Sequence, residues 1–492
     1  MRRDALSRPV RLLLRHELLD ASKSFFDYGC GRGDDIDTLT RGGFDVGGWD
    51  PFYRADAELV PADVVNLGYV VNVIEDSVER AETVRRAWRL ARRLLVVSAR
   101  LEDERDEAHV APVRDGWITR RGTFQKFFAH DELGEWIETT LQQKPVAAGL
   151  GVYYVFRDPS AREAYLASRF RRPIALPRRR SGDIAYEEHR DLIEPLIEFV
   201  EVRGRLPAES EIETVELAAA FGSVRRAFRV VQWVTDEKAW DQVRLERSID
   251  LLVHLALALF HGRPRWSDLP EPEQRDVRAF FSSYKAACAK ADKLLFATGN
   301  RDAILVACHA AVVGKLTPSA LYVHTSALHD LPALLRVYEG CAQALVGTVE
   351  DVTLVKLFRA EPAVSYLSYP EFETDPHPTL VESVHCDLRG RRVRYQSFRW
   401  RENPPILHRK ELFLSKTHPL RAKFERLTKS EERCGLFAVP ERVGTRNGWK
   451  EACVEAGVEL RGHRVVKPRS SQQLTNTKVG PFASPRGEED RG

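Results

Sequence analysis

The stretch Phe25-Phe26-Asp27-Tyr28-Gly29-Cys30-Gly31-Arg32-Gly33 decides the reading of this 492-residue chain. Ser24–Tyr28 has the composition of an apolar strand, and Asp34–Arg41 reads as a helix. Glycines at 29, 31 and 33 between them let the backbone turn tightly and approach a ligand without Cβ clashes. One acid, Asp27, stands just before the turn. A second, Asp50, closes the next predicted strand, 17 residues after Gly33. A carboxylate there can accept both ribose hydroxyls of an adenosine moiety. The loop has no terminal Lys-Ser/Thr, so it does not read as a phosphate cradle, and its spacing differs from the GxGxxG of dinucleotide-binding loops.

Further along, strands are predicted at Phe44–Trp49, Ala62–Asn66, Leu94–Ser98, Phe124–Phe128 and Val152–Phe156. Helical spacing marks Leu12–Leu19, Glu79–Arg93 and Asp131–Leu141. This alternation predicts an α/β fold, a doubly wound and mostly parallel Rossmann-like sheet over residues 1–158. A basic, proline-bearing linker is expected over 159–183 and a helical domain over 184–295. A mixed α/β domain over 296–460 and a polar, disordered tail over 461–492 complete the expected organisation. At roughly 100–200 residues per domain, the length suits about three domains.

Composition limits the function. Apolar residues make up 43% and charged residues 30%, enough for real cores. The net charge of +3 excludes a globally basic nucleic-acid coat and leaves room for local basic faces. The longest apolar run, Leu251–Phe260, is about half of the roughly 18 residues a membrane span requires, so no membrane partner is expected. Seven cysteines without a CxxC pair, and no apolar secretory segment in Met1–Asp20, point to a reducing, cytoplasmic setting. Cys308, His309, His324, His329 and Cys341 lack metal-ligand spacing, so no metal site is expected.

The acid–glycine loop, Asp50, and the strand opening Ala62-Asp63-Val64-Val65 resemble class I S-adenosylmethionine-dependent methyltransferases. That resemblance implies S-adenosylmethionine as cofactor, held by Asp27, Gly29, Cys30, Gly31, Gly33, Asp50, Asp63 and Val64. It further implies a post-strand helix over Val70–Asp76. Only 12 residues separate Asp50 from Asp63, too few for the superfamily's third strand and its helix, so the adenine contact has no candidate. Methylation of an exocyclic amine commonly uses an Asn or Asp in a [DN]-Pro-Pro-aromatic turn. Asn66-Leu67-Gly68-Tyr69 stands at that place without the prolines, which makes Asn66 and Tyr69 the candidate catalytic residues. Asn403-Pro404-Pro405-Ile406 matches the prolines, but lies far downstream and reads as a rigid turn before a strand-like Glu411–Leu414.

Two basic segments suit nucleic acid. Leu217–Val224 with Arg225, Arg226, Phe228 and Arg229 has the offsets of a helix-turn-helix. Arg389, Arg391, Arg392, Arg394, Arg399 and Arg401 alternate with Tyr395, Phe398 and Trp400, a pattern for backbone contact and base stacking, or for a solvated strand pair. More narrowly, Phe26–Gly33, Pro61–Asp76, Arg336–Cys341, Val364–Pro378 and Glu402–Lys410 resemble the bacterial DNA phosphorothioation-associated methyltransferase family. This implies DNA as partner, together with other proteins of a phosphorothioation-linked modification and restriction system. The remaining alternatives are a cofactor-binding regulatory or assembly subunit, or a methyltransferase for a small molecule, RNA or protein.

Overall fold

The computed structural model describes residues 5–104, 109–120, 122–170, 189–235 and 237–467. Most of the expected linker and tail lies outside them. The chain divides into two units, Met1–Pro370 with Val381–Trp400 and Leu412–His418, and Glu371–Leu380 with Arg401–Glu411 and the residues from Pro419 onward.

The first unit contains two sheets of six strands each among the described residues. The N-terminal sheet is built from β1 (Phe25–Tyr28), β2 (Val46–Trp49), β3 (Ala62–Gly68), β4 (Ala91–Ser98), β8 (Val146–Gly149) and β9 (Val152–Phe156). Between β4 and β8 the chain forms a separate small antiparallel sheet, β5 (His109–Val113), β6 (Gly116–Thr119) and β7 (Phe124–Gln125). The main sheet has the order β2-β1-β3-β4-β9-β8; β2, β1, β3 and β4 pair in parallel, and β9 runs antiparallel to both neighbours. Successive residues enter cores on opposite faces. Phe26, Val65 and Leu95 pack with the helices Ser77–Leu90 and His130–Leu141, while Phe25, Val64 and Leu94 pack with Arg8–Arg15, Asp34–Arg41 and Pro159–Ser168. A sheet covered on both faces needs apolar residues at successive positions, as at Phe25-Phe26, Val64-Val65 and Leu94-Leu95, and each fully buried aliphatic side chain contributes about 1.5–3 kcal/mol.

Several boundaries differ from expectation, for local reasons. No strand lies between β2 and β3 in the described chain, and β3 pairs directly with β1. Residues 70–76 do not form a helix, because Asp76 caps the next one by accepting from the Val78 and Glu79 amides, both at 2.9 Å. That helix stops at Leu90, where Ala91 pairs with Ala62 and begins β4. β7 is only two residues long, since Phe127 and Phe128 turn inward and are buried. The first residues of the expected linker are helical: Asp158 caps Pro159–Ser168, and Tyr165 and Leu166 are buried against the sheet.

From Arg190 to Ala310 the described chain is mainly helical, as expected, although the helices run past residue 295. The second sheet is antiparallel and ordered β10-β11-β12-β13-β14-β15, from Lys315–Leu316, Ala320–His324, Leu354–Phe358, Ala363–Ser368, Glu382–Asp387 and Arg392–Ser397. It joins the first through the segment after the helix Ala333–Val346. Thr348 donates its amide to Ala148 at 2.9 Å, and Gly347, at φ +75, leaves no room for a Cβ beside the Gly149 amide.

In the second unit, Asn403-Pro404-Pro405-Ile406 is pinned by Asn403, whose Oδ1 accepts from the Asn447 amide at 2.9 Å, and by pairing of Pro405 with Thr445. The segment bends at 402–403 and is bridge-paired at Pro405 and Ile406 instead of forming the expected turn, and the strand-like Glu411–Leu414 is a 3-10 turn over Lys410–Phe413. A hairpin of Glu459–Leu460 with Val465–Val466 extends into the expected tail.

All seven cysteines are free, and no described helix is long and apolar enough to cross a membrane.

His130 carries a pH test of this packing. Its buried ring accepts from the Gly151 amide through Nδ1 at 3.0 Å, and its Nε2 lies 3.1 Å from the Leu345 carbonyl. Burial pulls its pKa down to about 4. The unfolded chain therefore takes up a proton between about pH 6.5 and 4 that the folded chain refuses, so this contribution is full above 6.5 and is lost toward 4. His16, also lowered to about 4 by burial, adds in the same direction. The urea midpoint should fall progressively from pH 7 to pH 4.5; a flat midpoint would contradict a neutral, buried His130.

Candidate functional site

The strand order reverses between β1 and β3, and in doubly wound sheets ligands bind beyond the carboxyl ends of the strands at that point. A cavity of about 350 Å³ lies there, lined by Asp27, Gly29, Cys30, Gly31, Asn66 and Tyr69 of the predicted set, with Ser7, Arg32, Asp34, Asp35 and Gly68. Thus six of the ten predicted residues come together.

The glycine loop is held in a left-handed path, with φ of +87 at Gly29, +54 at Gly31 and +84 at Gly33. A Cβ on Gly29 would lie 2.3 Å from Val70 Cγ2, and one on Gly33 would lie 2.5 Å from Arg54 Nη2. Four of the loop amides are already used. Gly29 and Cys30 donate to the Trp49 carbonyl at 2.7 and 3.1 Å, Gly31 to Asp50 Oδ2 at 2.9 Å, and Gly33 to the Cys30 carbonyl at 3.0 Å. A phosphate cradle needs such amides aimed at the ligand, and these point inward.

Asp50 is not among the residues lining the cavity. Its Oδ1 accepts from the Phe52 and Tyr53 amides, both at 2.9 Å, so the carboxylate ties the end of β2 to the glycine loop. Gly33 caps the following helix from just outside the cavity. Asp63 and Val64 stand apart, at the amino end of β3. Asp63 Oδ2 accepts from the Ser24 amide and hydroxyl at 3.0 and 2.9 Å, and Val64 is a core residue.

At the carboxyl ends, buried Asn66 donates from Nδ2 to Asp27 Oδ1 at 2.8 Å across β1 and β3. Its own Oδ1 is buried without a hydrogen-bond partner among the described residues. A Cβ on Gly68 would approach Asn66 Nδ2 to 2.9 Å, a crowding that favours glycine at the position where the turn pattern has a proline. Tyr69 is in the left-handed region at φ +60, with its amide donated to the Ser98 carbonyl at 3.0 Å. Strained backbone of this kind persists where the surroundings fix it, and it clusters at functional sites. Burial pushes the Tyr69 phenol up. Burial, then the Asp27 carboxylate, raises the Cys30 thiol to about 11, so it stays protonated at neutral pH and is no thiolate nucleophile.

Residues that the sequence reading did not select complete the wall. Asp34 and Asp35 occupy the first turn of the helix after the loop, which makes that end acidic. Ser7 reaches the cavity because its amide donates to buried Asp35 Oδ1 at 2.7 Å. The acidic turn was readable beside Gly33, whereas nothing in the sequence connects Ser7 to Asp35. The site therefore combines a tight loop, four of whose amides are satisfied internally, with three carboxylates against one guanidinium, a surface suited to a cationic, phosphate-free ligand.

No protein-family profile matches this chain, and no curated protein matches it. Among solved structures, it is similar to a sugar N-methyltransferase from Streptoalloteichus, at 16% identity and a TM-score of 0.23, covering 32% of this chain and 96% of that one. A 1,6-didemethyltoxoflavin-N1-methyltransferase from Burkholderia thailandensis with bound S-adenosylhomocysteine aligns at 16% identity and a TM-score of 0.21, over 30% and 77% of the two chains. For a SAM-dependent methyltransferase from Aquifex aeolicus the figures are 15% identity, a TM-score of 0.22, and 31% and 89%.

The loop geometry separates two alanine substitutions. Gly29→Ala meets Val70 at positive φ, whereas Gly31→Ala meets nothing within 4 Å. Gly31→Ala should cost only the left-handed penalty of roughly 1–2 kcal/mol, and Gly29→Ala distinctly more. Urea denaturation of the two variants checks the order; equal losses would contradict the close Gly29–Val70 approach.

Proposed function

We propose that this chain is a class I S-adenosylmethionine-dependent methyltransferase acting on DNA in a phosphorothioation-linked modification system. The cavity at the β1–β3 switch point carries this reading, because the amides of Gly29, Cys30, Gly31 and Gly33 are spent internally while Asp27, Asp34 and Asp35 outnumber Arg32 on its wall. S-adenosylmethionine has a sulfonium and an ammonium group and no phosphate, so it fits that charge pattern. A pyrophosphate-bearing dinucleotide does not.

In this reading Gly29, Cys30 and Gly31 form the floor under the cofactor, and the carboxylates hold its cationic end. Asp50 orders the loop through the Gly31 amide; the Phe52 and Tyr53 amides fill its Oδ1, which leaves one lone pair, on Oδ2, for a ribose hydroxyl. Asp63 and Val64 serve the strand instead of the ligand. When bound, the cofactor supplies an electrophilic methyl group. Asn66 and Tyr69 line the same space, where the unpartnered Asn66 Oδ1 offers an acceptor to an amine N–H. The protein's contribution is then mainly placement of the acceptor in line with the methyl group.

For DNA as acceptor, the support beyond the sequence resemblance is a helix-turn-helix. Helices Val215–Phe221 and Val224–Val234 meet at left-handed Gly222, and Ser223 caps the second by accepting from the Arg226 amide at 3.2 Å. Arg225, Arg226 and Arg229 are exposed on that second helix, where this motif meets phosphates and groove edges. One observation favours a second reading: the absent strand between β2 and β3, with Gly68 in place of a turn proline, suits a cofactor-binding regulatory or assembly subunit of the same system.

Calorimetric titration of the full chain with S-adenosylmethionine should give saturable binding at micromolar concentration. Asp27→Asn should weaken it about tenfold, equivalent to about 1.4 kcal/mol. No heat from folded protein would refute the cofactor assignment. Host DNA sequenced for methylated bases, with and without this chain, separates the readings: a base modified only when the chain is present supports the methyltransferase. Identical DNA, with cofactor binding intact, supports the regulatory subunit.

A further inference from the structure

Tyr69 lines a second space besides the glycine-loop cavity, one of about 420 Å³. Its opposite wall comes from the second sheet, with Tyr366 of β13, Glu382 of β14 and Tyr395 of β15. These residues lie some 300 positions along the chain from Tyr69, and no sequence motif joined them to it.

The charge of this space is one-sided. Asp103, Glu104, Glu350, Asp351 and Glu382 line it against two guanidiniums, Arg8 and Arg399. Both arginines are already paired, Arg8 Nε with Glu350 Oε2 at 3.1 Å and Arg399 Nη2 with Glu382 Oε1 at 2.8 Å. The wall therefore repels phosphate and presents hydrogen-bond acceptors between tyrosine rings. Asp103 also accepts the Tyr395 amide at 2.9 Å, which fixes the edge strand β15 as a wall.

The outside of that strand is the reverse. Tyr395 is half-buried at the cavity, whereas Arg392 and Arg394, which precede it on the strand, are exposed, and Trp400 just beyond is 94% exposed. Alternation along one strand thus sets an arginine-rich outer face against an acidic, aromatic inner one. Such a pair of faces suits a polyanion that stays outside while one uncharged ring enters.

We propose that the cavity bounded by Tyr69, Tyr366 and Tyr395 receives the methyl acceptor, and that the acceptor is an amine-bearing heteroaromatic ring, a DNA base extruded from its strand. The inference rests on the methyltransferase reading. Carboxylates accept from an exocyclic amino group, tyrosines stack on the ring, and Arg392 and Arg394 hold the flanking phosphates. On transfer, the new N–C bond replaces the S–C bond, S-adenosylhomocysteine leaves, and the amine's displaced proton passes to a wall carboxylate and then to water.

The test uses the full chain saturated with S-adenosylhomocysteine and titrated with deoxyadenosine, deoxycytidine or thymidine. One of the two amine-bearing nucleosides should bind at least tenfold more tightly than thymidine. Tyr395→Ala and Glu382→Gln should each weaken that binding at least tenfold and leave S-adenosylhomocysteine affinity within twofold, a readout that also reports intact folding. Equal affinity for all three nucleosides, or no effect of either substitution, overturns the acceptor site while the cofactor reading stands. Absence of S-adenosylhomocysteine binding by the folded protein overturns both. A mixed-sequence single-stranded oligonucleotide should compete with the nucleoside, and Arg392→Glu with Arg394→Glu should abolish that competition. Tight nucleoside binding without competition overturns DNA as the source and assigns the cavity to a free aromatic amine.

Discussion

The hydrogen bond from Asn66 to Asp27, 2.8 Å long and buried across β1 and β3, marks the constraint on which the site depends. The two strands pair directly and in parallel, Asp27 opposite Asn66 in register. Their direct parallel pairing places the order reversal, the glycine loop and the Asn66–Tyr69 exit at one end of the sheet. A polar contact there is costly to leave half-made, so Asp27 and Asn66 hold each other in a fixed arrangement at the cavity wall.

Charge then distinguishes what the two cavities can take. Around the glycine loop the amides of Gly29, Cys30, Gly31 and Gly33 face inward, and three carboxylates with Arg32 line the space. A polar loop of the same shape with outward amides would suit a phosphate. Beyond Tyr69, carboxylates again predominate, and the arginines nearby are either paired with them or exposed on the outer face of β15. The small net charge of the chain conceals this separation. A net of +3 is compatible with acidic cavities and basic outer faces, and it is their placement that bears on binding.

Much of the N-terminal architecture was legible because its signals are local. Phe25–Tyr28 is buried throughout and apolar except for Asp27, which Asn66 satisfies, and the glycines at 29, 31 and 33 all adopt the positive φ for which glycine is suited. Two helices, Val215–Phe221 and Val224–Val234, do meet at Gly222 where the glycine stands in the sequence. Boundaries were less legible where capping or pairing outweighed periodicity: Asp76 starts a helix where 70–76 was expected to be one, and Ala91 begins a strand inside a helical pattern. Pro159–Ser168 reads as linker by composition, yet buried Tyr165 and Leu166 make it part of the sheet's covering layer. Asp63 and Val64 matched a motif, but their place at the start of β3 turns them toward Ser24 and the core.

By itself, the sequence determined the parallel sheet, the glycine loop with Asp27, and the shortened link between Asp50 and Asp63. Each depends on backbone demands or periodicity within a few tens of residues. Only the tertiary structure decided that Ser7 meets Asp35, that Asp50 serves the loop backbone, and that Tyr69 shares a cavity with Tyr366 and Tyr395. The physical reason is that a wall is made by side chains whose neighbours are set by the packing of whole elements. Residues hundreds of positions apart meet only after the sheets have buried their cores, and no local pattern records that meeting.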